Sequence, residues 1–578
     1  MVLLVVLLIR LPFLNQPIQG DDDTYLKEAE HALIEPLHPA HTFYVFRGAP
    51  VDLRGHPHPP LDAWTLAGLL MLFGDVKEAP FHAAYIVFSL IAATAMWSLA
   101  RRFSPSPLWA TLLFAAVPAF VVSGNSLESD LPFLAFWMAA IALFGARRLV
   151  SATFAMVLAA MVAYQAVLLV PILAVYLWLF RRRDRASWAV LLTAPLTIAA
   201  WQAFERLSTG ALPAAVLTGY FGSYGFQALA LKLRNAGALA VHACFLVFPI
   251  LLAPVSVLAW RKRREPATAF LLAWIALFFA GAVIVFFAGA ARYLLPMAAP
   301  VVLLASHLRA RWLAAGFAAQ LALALGLATV NYQHWDGYRR FAQALRTPAG
   351  GHRVWVDGEW GLRYYLESDG ALPLVKTQHL RPGDIVVSSA LGHAVEYTEP
   401  RTALAQTGIR PDLPLRLIGL ESRSGFSSAS QGLYPFGVSN GIIDQVRADL
   451  IGERRVTLQY LPMTAPEAAD QIVSGVFADH WMGAAATVVL RSPSAPQPLA
   501  LAFYIAPQAA ARRVALSLDG REIAAQTYPA PGAYTLQSAP VRPSGSVATV
   551  EIRVDRTFMV PGDRRDLGIV LAAVGFVQ

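Results

Sequence analysis

Asp21, Asp22 and Asp23 stand in one run just past the first apolar segment of a strongly hydrophobic chain, with Tyr25 close behind. Carboxylates this near a bilayer lose hydration, a cost that sequences rarely carry without a use. Further polar groups punctuate the apolar sequence. His58 precedes Pro59-Pro60-Leu61, Glu128 and Asp130 flank Ser129 ahead of an apolar run, and Tyr164-Gln165 interrupts another. Lys232 and Arg234 lie between two apolar stretches, and Arg292-Tyr293 opens a proline-containing one. Carboxylates and cations on one membrane face suit a reaction with a phosphate-bearing lipid. A carboxylate can take the proton of an attacking hydroxyl. A guanidinium can hold two phosphate oxygens and stabilise the charge that departs. Arg292 is the leading candidate for that second role, with Lys232, Arg234 and His58 behind it. Burial beside neighbouring acids would raise the working pKa of one aspartate in the run.

Each group also has a plainer reading. Three aspartates after a membrane helix can be a solvated loop. Glu128 and Asp130 can cap a helix starting near Leu131. Tyr164-Gln165 can be a loop tip, and Arg292 an interfacial anchor. His56 and His58 flank prolines with no paired ligand motif, so spacing gives no zinc site. The sequence requires no cofactor and leaves metal dependence open. Trp335 and Trp355 read as core.

The elements that must position these groups follow from composition. The chain has 578 residues, 57% hydrophobic and only 14% charged, with a mean hydropathy of +0.51. Repeated apolar runs of spanning length make it a polytopic α-helical membrane protein. The net charge of +9 does not point to nucleic acid, because the basic residues cluster in short runs between apolar segments. Those runs are Arg101-Arg102, Arg147-Arg148, Arg181 to Arg183, Arg261 to Arg264, and Arg309 with Arg311. Placing all of them in the cytoplasm forces even numbers of spans between them and gives about eleven in total. Spans are expected near 82–100, 108–122, 131–146, 149–180 (two, broken at Tyr164-Gln165), 186–204, 237–260, 267–308 (two, hinged at Arg292-Tyr293) and 312–330. Residues 1–14 read as a short first membrane helix, and 61–74 as a helix lying in the interface. On this topology every candidate group shares the extracytoplasmic face with the C-terminal region. The single cysteine, Cys244, excludes an intramolecular disulfide.

After Val330 the composition turns polar. Strands are expected at 353–357 and 384–388 and a helix at 359–367, which gives a small α/β unit over 331–420. Period-two alternation at Leu499, Leu501, Phe503 and Ile505, at Val514, Leu516 and Leu518, and at Val550, Ile552 and Val554 points to a β-sandwich-like domain over 421–578. Residues 420–470 carry no clear pattern.

These motifs, taken in order, resemble the glycosyltransferase C superfamily, specifically bacterial relatives of protein O-mannosyltransferases and of the lipid A aminoarabinose transferase. The resemblance covers about residues 1–330. It rests on Asp21-Asp22-Asp23-Thr24-Tyr25 with Ala29, on His58-Pro59-Pro60-Leu61, on Glu128-Ser129-Asp130, and on Arg292-Tyr293-Leu294-Leu295-Pro296 with Pro300. It implies an inverting transfer from a polyprenyl-phosphate sugar to a glycan, lipid or protein acceptor, with Asp21 as base and Asp22 in support. The run of three lacks a glutamate, so a one-residue slip would make Asp22 the base. A lysine often precedes the Pro-Pro-Leu turn in relatives; here it is His58. The stretch Phe558–Gly568 resembles part of the β-sandwich tails of bacterial polysaccharide-type glycosyltransferases. The competing readings are a transporter, which would show paired repeats and mid-span charges, and a surface-presenting protein, for which this many spans would be superfluous.

Overall fold

The computed structural model describes residues 1–578 except 224, 226–227, 248, 286–288, 377, 393–394, 396, 398, 429–430, 510, 561–562 and 564. The apolar runs fold as helices, the form that satisfies every backbone polar group within its own segment. Four helices among the described residues are long and apolar enough to cross a membrane: Glu78–Phe103, Arg185–Thr209, Pro266–Ile284 and Ala310–Leu345. Seven shorter apolar helices accompany them: Val2–Phe13, Leu61–Phe73, Asp130–Gly145, Leu149–Val162, Tyr164–Phe180, Leu251–Arg261 and Arg292–Ala305. The break expected at Tyr164-Gln165 is a 3-10 turn, Tyr164–Leu168.

Two expected spans are interrupted. The one near 108–122 comes as Pro107–Ala115 and Pro118–Ser123, because Pro118 has no N–H to continue the ladder. Arg10, only 2% exposed, satisfies carbonyls of the second piece. It donates to Phe120 O at 2.6 Å and Val121 O at 2.5 Å, and also to Ser89 Oγ and Asn125 Oδ1. Gly124 leaves room for that guanidinium, since a Cβ there would lie 1.8 Å from it. The span near 237–260 comes as Leu229–Ala243 and Pro249–Arg261.

Helix Asp130–Gly145 has two chemically distinct ends. At its C-terminus, Arg102 and Arg181 both donate to Gly145 O, and Arg147 pairs with Asp184 at 3.2 Å. Three of the five basic runs therefore meet at that end. Asp130 opens the other end, beneath the C-terminal units.

The last helix, Ala310–Leu345, is roughly 54 Å long at 1.5 Å per residue and continues well past Val330. Its far half buries Trp335, Tyr338 and Phe341 against Val356, Ile385 and Val446 of a five-stranded sheet. The strand order is Leu372–Pro373, Val354–Asp357, Ile385–Ser389, Asp444–Ile451, Arg401–Ile409, the first three parallel and the last two antiparallel additions. Strand Asp444–Ile451 pairs on both sides, so the sheet takes in chain well beyond 420, where the sequence reading had ended the α/β unit. The excursion 410–443 leaves and returns to one sheet, and local patterning carries no trace of such a return. The β-sandwich follows from Tyr460 as a four-stranded and a five-stranded antiparallel sheet. Leu499, Leu501, Phe503 and Ile505 all face its core, as alternation requires. Residues 561, 562 and 564 of the stretch Phe558–Gly568 lie outside the described residues; Phe558 and Leu567 form a bridge across it.

Candidate active site between the membrane helices and the C-terminal units

Asp21 precedes helix Asp22–Ala32, and its two neighbours in the run point to different places. Asp22 is fully buried. Its Oδ1 accepts from Ser126 Oγ at 2.7 Å and from the Leu127 N–H at 2.8 Å, and its Oδ2 accepts from the Gln19 N–H at 3.0 Å. Burial nonetheless outweighs these donors and lifts its pKa to about 7. Asp23 is buried on the opposite side, 4.0 Å from Arg363 of helix Trp360–Ser368. Lys27 joins Glu367 on that helix at 2.6 Å. The first loop is thereby clamped to the α/β unit by its own acidic run.

Asp21 alone turns its carboxylate toward open space, with the side chain 48% exposed. Its Oδ2 accepts from Arg292 Nη2 at 3.0 Å, and its backbone N–H donates to Glu128 Oε1 at 2.9 Å. Arg292 also pairs closely with Glu128 and lies 3.5 Å from Asp130. One guanidinium is thus ringed by three carboxylates from two loops far apart in sequence. Tyr293 lies beneath it, with the Arg292 guanidinium carbon 5.5 Å from the ring centre. A low-dielectric setting strengthens each of these attractions, and an incoming phosphate must compete with them.

A pocket opens at this cluster. Gln19, Gly20 and Asp21 form one edge, Ser123, Ser126 and Glu128 a second, and Asn331 and Trp335 of the last helix a third. Trp360, Ile418, Phe426 and Gln431 of the C-terminal region roof it. The Ala291 N–H donates to Phe426 O at 2.8 Å, which fastens the roof next to Arg292.

His58 sits behind the cluster. Its Nδ1 is 2.9 Å from Ser129 Oγ and 3.2 Å from Val162 O, and Ser129 Oγ in turn shares a hydrogen bond with Tyr25 Oη at 3.0 Å. Burial, then the neighbouring His56, hold its pKa well below the usual histidine value. His58 is therefore neutral, and it brings no positive charge to a phosphate. His58 and Tyr164 both line a second pocket, with Glu28, His56, Trp201 and Glu205.

Tyr164 is not part of the cluster; its Oη accepts from Gln202 Nε2 at 2.8 Å. Lys232 and Arg234, expected in a loop facing the same lipid phosphate, are not part of it either. They instead belong to helix Leu229–Ala243, which turns Lys232 Nζ to within 3.1 Å of Ile284 O and leaves Arg234 exposed. Neither lines the cavity that holds Arg292.

Sequence reasoning missed Gln19, Ser126, Asn331, Trp360 and the whole roof. Trp360 fell inside the helix expected at 359–367, which gave no sign that it would line a cavity. The others are single polar residues in unremarkable contexts. Among the described residues no set of three or more His, Cys, Asp or Glu side chains is arranged to hold a metal ion.

Residues 57–204 match the family described as dolichyl-phosphate-mannose-protein mannosyltransferase. No curated protein matches the chain. Among solved structures, ArnT from Cupriavidus metallidurans bound to undecaprenyl phosphate overlays with a TM-score of 0.45 at 14% identity, covering 67% of this chain and 92% of that one. The apo form of the same protein gives 0.45 at 15% identity with the same coverage. The arabinofuranosyltransferase AftD from Mycobacteria gives 0.40 at 12% identity, covering 99% of this chain and 58% of that one. The matched segment carries His58, Glu128, Asp130 and Tyr164 within a body of apolar helices, and over residues 57–204 the chain is similar to that family.

Proposed function

We propose that this protein transfers a sugar from a polyprenyl-phosphate donor to an acceptor hydroxyl, with inversion, in the cavity between its membrane helices and its C-terminal units. The observation that carries the reading is the contact of Arg292 with Asp21 at the cavity edge. The phosphodiester of a polyprenyl-phosphate sugar entering from the bilayer would take over the Arg292 Nη2 donor and release the Asp21 carboxylate. The acceptor oxygen then attacks the anomeric carbon and forms the new glycosidic bond. The bond from that carbon to the phosphate oxygen breaks with its electron pair. The acceptor proton passes to Asp21, and polyprenyl phosphate leaves against Arg292.

Asp21 is favoured over Asp22 as base because it is half exposed, whereas Asp22 spends its oxygens on Gln19, Ser126 and Leu127. Asp22, Glu128 and Asp130 hold Asp21 and Arg292 in register. Tyr293 and the His58–Ser129–Tyr25 relay support them from behind, and Tyr164 reaches the same region through the second cavity. The convergence of basic runs at the opposite end of Asp130–Gly145 supports a plasma-membrane protein whose cavity and C-terminal units face away from the cytoplasm.

The test uses membranes containing the full chain and polyprenyl-phosphate sugars, with release of free polyprenyl phosphate as readout. Wild type should turn over and Asp21→Asn should insert normally but not turn over. Full turnover by Asp21→Asn would end the base assignment.

A further inference from the structure

We infer that the cavity beside Asp21 is an acceptor subsite for a carbohydrate ring, formed by Trp335, Trp360, Ser123 and Gln431. This rests on the transfer reading above and names the acceptor as a glycan.

The cavity wall combines apolar faces with unpaired polar atoms. Trp335 and Trp360 meet edge to face, with centroids 6.2 Å apart and planes at 83°. Together they make a corner of two indole surfaces. Such a corner can pack against the C–H face of a saturated ring, whose weakly positive hydrogens suit an electron-rich aromatic face. The Trp335 indole N–H is already spent on Asn331 Oδ1 at 2.9 Å and its ring stacks on His334 at 4.3 Å, so Trp360, the less buried of the two, offers the more open ring.

Opposite this corner, Ser123 Oγ and Gln431 Oε1 are buried and have no hydrogen-bond partner among the described residues, and the same is true of Arg292 Nε. Leaving such an atom unpaired costs roughly 1–3 kcal/mol. Three of them around one space point to a ligand that completes them. Gln431 Oε1 can only accept, so the ligand must donate to it. An ionised phosphate cannot donate. A sugar offers neighbouring hydroxyls that donate and accept at once.

The backbone here is shaped around these groups. Trp360 has a φ of +61°, a conformation that non-glycine residues adopt at a cost of about 1–3 kcal/mol and that concentrates at functional sites. The adjoining Gly361 lies so close to the first loop that a Cβ would sit 2.2 Å from Ile18 O. In the roof, Gly425 and Gly432 sit against backbone, where a Cβ would meet Gly432 O at 2.2 Å and Arg423 O at 1.9 Å. Trp360 and Gln431 come from the C-terminal units, on the wall away from the membrane helices. A lipid-borne donor arrives from the helical side, so the wall they form is left to the acceptor.

The experiment uses the full chain in detergent, applied to printed oligosaccharides and to serine- and threonine-containing peptides, with polyprenyl phosphate binding measured separately. The wild type should retain a subset of the oligosaccharides and none of the peptides. Gln431→Ala and Trp335→Phe should weaken that retention at least tenfold and leave polyprenyl phosphate binding unchanged. Gln431→Glu, which keeps the accepting oxygen, should restore it. Asp21→Asn should bind glycan as the wild type does. Peptide retention lost in the same variants would overturn the glycan assignment in favour of a protein acceptor. Loss of polyprenyl phosphate binding with glycan retention intact would overturn it in favour of the donor. Turnover with glycan retention unaffected by Gln431→Ala and Trp335→Phe would refute the subsite alone. Glycan retention with no turnover by wild type would uphold the subsite and refute the transfer reading.

Discussion

Substituting Asp21 and Asp22 separately should split catalysis from folding. In Asp21→Asn the half-exposed carboxylate becomes a neutral amide, while Arg292 keeps Glu128 and Asp130. A partly exposed ion pair contributes about 0–1 kcal/mol, so thermal stability should hardly move. A positioned base is worth roughly 10²–10⁴ in rate, or about 3–5 kcal/mol of barrier, and turnover should fall by that factor. Asp22→Asn reverses the pattern. Its side chain accepts from three donors, and an amide can direct only its oxygen toward Ser126 and Leu127. Its NH₂ then faces the Gln19 N–H, now without an acceptor. The buried mismatch should lower stability by about 1–3 kcal/mol, while turnover per folded molecule falls less than tenfold. The assay pairs release of polyprenyl phosphate from membranes with a thermal-shift measurement of the purified chain. If Asp22→Asn loses a hundredfold in turnover at unchanged stability while Asp21→Asn stays active, the base is Asp22 and the reasoning from exposure is wrong.

Four further outcomes are expected. Arg292→Ala leaves three carboxylates facing one another and should cost about 3–5 kcal/mol of stability along with donor binding, whereas Arg292→Lys should fold better yet bind polyprenyl phosphate weakly, as titration of both variants would show. Arg363→Ala removes the partner of Asp23 and Glu367, so limited proteolysis should cut between the α/β unit and the first loop sooner than in wild type. Gly361→Ala should push Ile18 and the first loop away and lower turnover with membrane insertion intact, which immunoblotting of membranes beside the activity assay would reveal. Burial lifts the Glu359 carboxyl from its ordinary 4.5 to about 7. Its contribution to stability is therefore full below pH 4.5 and is lost as pH rises toward 7. The difference in melting temperature between wild type and Glu359→Gln should change across that window and be flat above it.

The membrane body was readable because apolar runs and arginine clusters are one-dimensional signals. The cluster of Asp21, Glu128, Asp130 and Arg292 could be anticipated once the basic runs fixed the order of faces. Helix interruptions were harder: Pro118 was in plain sight, but only the buried Arg10, far upstream, makes that break tolerable. Lys232 and Arg234 misled because charge suggested a loop where the chain is helical, and helical geometry then sent the side chains elsewhere. The roof was illegible. Phe426 and Gln431 acquire meaning only from a long excursion that returns to the sheet at Asp444, and no local periodicity encodes where such an excursion lands.

The walls of the cavity are drawn from Gln19 near the start of the sequence to Gln431, 412 residues later. During synthesis the aspartate and the guanidinium are in place once the residues up to 292 have been inserted, while the enclosure above them awaits more than a hundred further residues. A nascent chain at that stage holds a complete charge cluster open to water, with nothing yet to select what reaches it. Selection of what reaches the cluster therefore begins only once the C-terminal units have folded over it.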